Sequence, residues 1–369
     1  MASNKVIFSA ILIALAAYPP LAGDETKKVH NLARPDREFK IFQFPRDRIP
    51  RIDGKSSDWD MVPKSYAYGS EELSEVVEGY GKNFDRRDLD IRVRVGWVKG
   101  LNRLYFLYEA TDDFWDFGRF NPNGYLNDIF EIAVDGDLSG GPFINNPRSK
   151  DPIANHFSFK GVHAQNYHIY TPPVDNAWVL VWGCQAWIGE FPQSNYAYSY
   201  GFQHGESGRL TLEFWITPYD YAPYEGPENA SVTQLKENQL VGLSWAVLDF
   251  DGGKRDGFYS LAHNTRMVSD ADYLCAFRIM PLEKGLQKKL QSEWSFKVLD
   301  MNQRRVAFKD ESIGKVSSWK WHFGDGETSE EQNPVHVYKN PGVHYVVTLE
   351  VSGPEGKSRR SRFWDVMVR

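Results

Sequence analysis

The chain is short of the residues that mark the commoner functional classes. Its 369 residues include two cysteines, Cys184 and Cys275, which are too few for a disulfide framework and lack any metal-ligand spacing. Both lie in apolar, strand-like segments. In an exported protein they can pair, and two buried free thiols fit the pattern equally well. Helical periodicity is scarce. Glu71–Glu78 is short and acidic, and Glu283–Leu290 has the length of one linker helix. Lys and Arg number 43 against 49 Asp and Glu, a net charge of −6, and they are scattered. That excludes the basic stripe of a nucleic-acid binder. There is no Gly-x-Ser-x-Gly, no His-Glu-x-x-His and no phosphate loop, so the motif-bearing hydrolase and nucleotide classes are unsupported. Asp112 and Asp113 are adjacent on a strand, point to opposite faces and cannot flank one bond. The nine histidines do not cluster in sequence.

Long apolar runs are also missing, with one exception at the N-terminus. Lys5 is followed by the apolar stretch Val6–Ala17 and a small-residue exit to Gly23. This is the pattern of a secretory signal peptide, expected over residues 1–23. The run is short of the ~20 residues that a spanning helix needs, and Pro19-Pro20 would end it. A secreted, periplasmic or cell-surface location is expected, with no transmembrane segment after signal removal. Asp24–Glu38 reads as a loose polar leader.

Aromatics are abundant, 15% of the chain, with 12 Trp, 19 Tyr and 23 Phe. Such side chains favour the faces of β-sheets. Leu89–Trp97 alternates apolar and polar for a whole strand, and Leu104–Ala110 follows after a Gly- and Asn-containing reversal, which together predict a hairpin. Ile129–Val134, Tyr167–Tyr170, Trp178–Trp182, Arg209–Ile216, Val241–Leu248 and Leu274–Met280 are further predicted strands. The chain is all-β. It divides into a large sandwich over 39–281, a charged linker over 282–291 and a small sandwich over 292–369.

In the small module, Trp319, Trp321 and Phe323 alternate towards one core face, Gly324-Asp-Gly326 makes a tight turn, and Tyr345, Val347, Leu349 and Val351 alternate on a second strand. The ordered set Trp321-His-Phe-Gly-Asp-Gly326, Asn333-Pro, His336-Val-Tyr338, Pro341-Gly and Tyr345–Val351 closely resembles a PKD domain. The resemblance implies an immunoglobulin-like β-sandwich serving as a spacer or adhesion module on extracellular proteins. It makes His336 a structural residue rather than a metal ligand beside His322 and His344.

The large module opens with Arg51-Ile-Asp-Gly54 and Asp58-Trp59. Leu104–Asp113, Asn127–Asp135, Gly208–Pro218 and Val241–Gly252 follow in order. This set resembles the family-9 carbohydrate-binding module and its DOMON-like relatives. The resemblance implies a sugar held between two aromatic rings, with polar groups reaching its hydroxyls. Carried over by position, Tyr125 stands where a tryptophan is usual, Glu131 is retained, and His168 replaces an arginine. A glutamine position falls at Ala246 and the second tryptophan position at Met267. These departures put the aromatic clamp in doubt. The insertion Ile144–Tyr200 carries other aromatics, among them Trp178, Trp182, Trp187, Phe191, Tyr196, Tyr198 and Tyr200, which either pack the insertion down or form a relocated site.

A structural calcium is the expected ion. Asp249, Asp251 and Asp256 space hard oxygen donors around Gly252-Gly253, and Asp135-Gly-Asp137 does so on a smaller scale; neither is a full EF-hand loop. Three functional readings follow. The first is a glycan- or polysaccharide-binding protein, non-catalytic and accessory to polysaccharide breakdown. The second is a structural or adhesion protein with a degenerate sugar site and other cell-surface proteins as partners. The third is a glycoside hydrolase.

Overall fold

The computed structural model describes residues 32–119, 124–144, 150–151, 153, 160–287 and 289–368. The signal peptide expected over 1–23 lies outside them. Its large module contains β1 (Phe39–Gln43), β2 (Ala67–Gly69), β3 (Ser74–Glu75), β4 (Leu89–Trp97), β5 (Leu104–Asp112), β6 (Ile129–Asp135), β7 (Gln165–Val174) and β8 (Ala177–Val181). It continues with β9 (Ser194–Ser199), β10 (Gly208–Ile216), β11 (Tyr219–Tyr221), β12 (Ser231–Val232), β13 (Leu240–Asp251), β14 (Lys254–Ser260) and β15 (Cys275–Ile279). The strands predicted from alternation are all present. In place of the linker helix stands a single 3-10 turn, Lys284–Leu286.

One face of the sandwich is the run β8-β7-β6-β13-β15, and the other is β4-β5-β10-β9. The corner is β1. Its first half, Phe39–Ile41, pairs in parallel with β15, and Phe42 and Gln43 pair in parallel with β4. The two faces meet through aromatic rings: Phe130 of β6 stacks on Tyr108 of β5 at 4.2 Å and meets Phe214 of β10 edge-on at 6.3 Å. The leader is tied down at its end, against the expectation of a loose segment to residue 38. Ala33 N–H donates to Leu274 O, and Arg34 pairs with Glu72 at 2.7 Å.

β5 reads Leu-Tyr-Phe-Leu-Tyr without clean alternation because it is buried on both sides. Phe106 and Tyr108 face the main core, while Tyr105 and Leu107 join a second cluster with Phe42, Phe44, Trp59, Tyr66 and Trp215. The segment Arg51–Pro63 covers that outer face and brings Trp59, which is fully buried. A buried aromatic of this size stabilises by about 2–3 kcal/mol. Glu213 of β10 locks the segment in place. It accepts from the amides of Asp53 (3.2 Å), Gly54 (2.8 Å) and Lys55 (3.0 Å) and from the Trp59 indole (2.9 Å). Gly54 is required twice over: its φ is +79°, and a Cβ there would sit 2.9 Å from Tyr198 O.

The small module has two sheets. The first is β16 (Trp294–Asp300), β17 (Arg305–Asp310) and β20 (Val335–Val337). The second is β19 (Thr328–Ser329), β18 (Ser318–His322), β21 (Val343–Gly353) and β22 (Gly356–Val368). Trp294, Phe308, Trp321, Phe323, Tyr338, Tyr345, Val347, Leu349 and Val351 form its own core. The boundary falls inside the linker: Leu286 packs on the large module, and Leu290 belongs to the small core.

Candidate functional site

Two polar constellations stand on the large module. The first lies on the face of β6 and β7 turned away from the core. Phe130, Ile132 and Val134 lie on one side of β6 and Glu131 and Ala133 on the other, and both sides are buried. Pairing sets His168 opposite Glu131 and Asn166 opposite Ala133, while Ala246 of β13 flanks Glu131 on the other side. The sequence-predicted pair Glu131 and His168 is therefore brought together, with His168 Nδ1 3.7 Å from Glu131 Oε2. Asn166, which sequence reasoning missed, donates to Glu131 Oε1 at 2.9 Å and to Val268 O at 3.1 Å.

Burial is nearly complete there, at 4% exposure for Glu131 and 2% for His168. Both ring nitrogens of His168 and the Oδ1 of Asn166 have no hydrogen-bond partner. Buried polar groups are normally satisfied, and an orphan costs about 1–3 kcal/mol.

Met267 does not belong to that site. It lies in the 3-10 turn Arg266–Val268, has 0% exposure and belongs to the main core. The position expected to supply the second ring is occupied by a packing residue. Tyr125 is 45% exposed on the turn Gly124–Leu126. Gly124 lets that turn approach the sheet, since a Cβ there would lie 2.6 Å from Tyr170 Oη. Tyr170 and Trp182 both stand edge-on to the His168 ring, at 6.4 Å and 5.8 Å. Trp182 is 38% exposed just beyond β8, held by its N–H to Asn166 O at 3.2 Å. Other aromatics of the insertion divide: Trp178 is buried and stacks on Tyr196 at 5.0 Å, Trp187 donates to Pro223 O, and Phe191 is exposed.

The second constellation is carboxylate. Asp249 and Asp251 at the end of β13 and Asp256 on β14 meet Asp88, Asp112, Asp113 and Asp128, which come from the ends of β4, β5 and β6. Three overlapping triads have ligand oxygens within 4.8 Å of one another: Asp88-Asp113-Asp251, Asp88-Asp249-Asp256 and Asp112-Asp128-Asp249. Among the described residues, none of the seven has a Lys, Arg or His partner within 4.0 Å. Arg119 is nearby but pairs with Asp116. Burial, followed by mutual repulsion, raises the carboxyls. Asp88 and Asp112 are pushed up to about 7 and Asp249 to about 9, and Asp128 goes well above the usual carboxylate range. Asp128 accepts from the Asp116 and Phe250 amides, whereas Asp249 Oδ1 and Asp251 Oδ1 are buried without partners. Asp135 and Asp137 lie apart from this cluster. Asp135 accepts from Ser139 and Gly140 N–H, and Asp137 from Ser139 N–H, so both cap their own turn.

The two cysteines are not joined in a disulfide: Cys275 is buried, and Cys184 is half-buried with its thiol donating to Lys160 O at 3.3 Å. In the small module, His336 Nε2 donates to the Asp325 carboxylate at 2.7 Å and its ring stacks on Phe323 at 4.0 Å.

Comparison with known proteins divides along the same boundary. Residues 299–368 match the PKD domain family. Over 53 residues, 14% of this chain, the sequence is 53% identical to collagenase ColQ1 of Bacillus cereus, and over 49 residues it is 49% identical to collagenase ColA of another strain of that species. The chain spans about 5% of the length of these curated relatives. Among solved structures, a family-9 carbohydrate-binding module from Caldicellulosiruptor kristjanssonii in complex with cellotriose is 12% identical and has a TM-score of 0.43. It covers 68% of this chain and 97% of its own. The PKD1 domain of the Vibrio cholerae metalloprotease PrtV is 25% identical with a TM-score of 0.19, covering 21% of this chain and 98% of its own. Residues 299–368 are therefore a PKD domain, set behind a larger all-β sandwich.

Proposed function

We propose that the large sandwich is an exported, non-catalytic glycan-binding module, with its site on the outer face of β6 and β7. The observation that carries this reading is the group of three buried, unpartnered polar atoms on His168 and Asn166 beside Glu131. Sugar hydroxyls both donate and accept, so one saccharide ring satisfies an imidazole nitrogen and an amide oxygen together. Trp182, exposed and edge-on to His168, and Tyr125, exposed on the turn whose Gly124 meets Tyr170, would supply the apolar surfaces on which sugar C–H faces stack. The family-9 resemblance and the solved relative carrying cellotriose agree with this reading.

The carboxylate cluster fits calcium: it offers hard oxygen donors from several strand ends, and two of those oxygens are buried without partners. Asp249, Asp112 and Asp128 would hold the ion innermost, and its charge would offset repulsion that the protein itself leaves uncompensated.

The test is a glycan screen of the whole chain with and without calcium, followed by titration calorimetry on the hits. Trp182→Ala and Tyr125→Ala should each weaken binding about tenfold, in line with a stacking contact of about 1–3 kcal/mol. Binding that survives both substitutions overturns the site, and a clean negative across the screen selects the adhesion reading instead.

A further inference from the structure

A polar trough crosses the outer face of the PKD sheet. Pairing aligns three rows across β18, β21 and β22: Ser318-Ser352-Lys357, Trp319-Val351-Ser358 and Lys320-Glu350-Arg359. Side chains alternate along each strand, so the middle row turns inward and leaves its backbone as a floor. Val351 is buried in the core, and Ser358 Oγ accepts from Ser292 N–H at 2.9 Å. The first and third rows stand up as walls around a cavity of about 390 Å3. That volume falls within the range of about 300–1,000 Å3 typical of small-ligand sites.

The walls carry three cations against one carboxylate, in a chain whose net charge is −6. Glu350 is shared by Arg359 at 3.5 Å and His322 at 3.9 Å. Lys320 and Lys357 have no ion-pair partner within 4.0 Å among the described residues. Hydroxyls lie beside them, with Ser318 Oγ and Ser352 Oγ 2.5 Å apart.

We infer that this trough binds an acidic polysaccharide, with Lys320 and Lys357 taking carboxylate or sulfate groups and Ser318 and Ser352 taking ring hydroxyls. Charge complementarity calls for an anion. Trp319 lies in the floor with its indole N–H donated to Asp310, so the groups standing up from the walls are the charged and hydroxyl side chains. Three strands give a straight path along which an extended polymer places successive charged groups. The inference is independent of the sandwich site.

The test uses the full-length protein in affinity electrophoresis through gels containing polygalacturonate, dextran sulfate or uncharged dextran. Retardation is expected in one or both anionic gels, which separates carboxylate from sulfate recognition, and not in dextran. Salt should weaken it. The double substitution Lys320→Ala, Lys357→Ala should reduce affinity about tenfold or more through loss of two charge-assisted contacts. Lys309→Ala with Lys339→Ala removes the same charge elsewhere on the domain and should leave retardation intact. The proposal is overturned by no retardation in either anionic gel, by equal loss in the two lysine pairs, or by polyglutamate competing as well as polygalacturonate.

Discussion

The two modules differ in how the carboxylates drawn into them are met. In the PKD domain the half-buried Asp325, Asp310 and Glu293 are all answered. Asp325 is hydrogen-bonded by His336, and Asp310 by Ser312, Trp319 and Gln332; both are held below the ordinary carboxylate range, although burial alone would raise them. Glu293 is met by Arg360 and Arg362 of its own module and by Arg46 of the large one. In the sandwich, Asp88, Asp112, Asp128 and Asp249 are raised by burial, and among the described residues no cation pairs with them. Under the calcium reading proposed above, a bound ion would offset that repulsion.

Glu213, like Glu75, Asp116 and Asp270, is a buried carboxylate of the sandwich that the fold itself satisfies, and it sharpens the contrast with the aspartate cluster most. Glu213→Ala would strand three amides and an indole N–H at once. The expected loss is on the order of 4 kcal/mol, read as a lower denaturant midpoint for the sandwich with the PKD transition unmoved. If the two transitions fall together, the modules do not store stability separately.

Calcium and pH come next. For Asp88, Asp112 and Asp249 the folded-state values of about 7, 7 and 9 lie above the ~3.9 of an unfolded aspartate. The folded chain therefore holds more protons than the unfolded one in that window. Without metal, stability is fully present below pH ~4 and is lost as pH rises through the folded values. Calorimetry in chelator should show the sandwich melting lower at pH 8 than at pH 5. Calcium in hundredfold excess over its dissociation constant should restore about 2.7 kcal/mol at the higher pH. The PKD domain should not respond. A chelated sandwich that is equally stable at both pH values would break the comparison.

The smallest effect is expected in the self-sufficient module. His336→Ala removes the partner of Asp325 and the ring stacked on Phe323. It should cost about 1–2 kcal/mol, seen only in the PKD transition. A calcium response of the wild-type PKD transition that this variant abolishes would give His336 the metal role that its packing argues against.

What was legible in the sequence followed from local rules. Alternation located β4, because a half-buried strand repeats every two residues, and apolar runs bounded by Gly, Asn and Asp turns located β5, β6 and β10. The pairing of Glu131 with His168 was reached through the family resemblance. Asn166 was missed because no local pattern distinguishes an outward asparagine on β7 from a solvated one. Trp182 was seen only as one of seven aromatics in an insertion. The burial of Met267 was also invisible, since a lone methionine in a polar stretch gives no periodic signal.

The sequence by itself determined an all-β chain and the PKD fold at its C-terminal end, because period, turn chemistry and contiguous motifs act over a few residues. The tertiary structure alone decided that Asp88, Asp112 and Asp128 share space with Asp249, and that Trp182 stands edge-on to His168 while Met267 is buried in the main core. Those neighbours are brought together by strand register and sheet stacking across tens to more than a hundred residues of chain, a distance over which spacing carries no information.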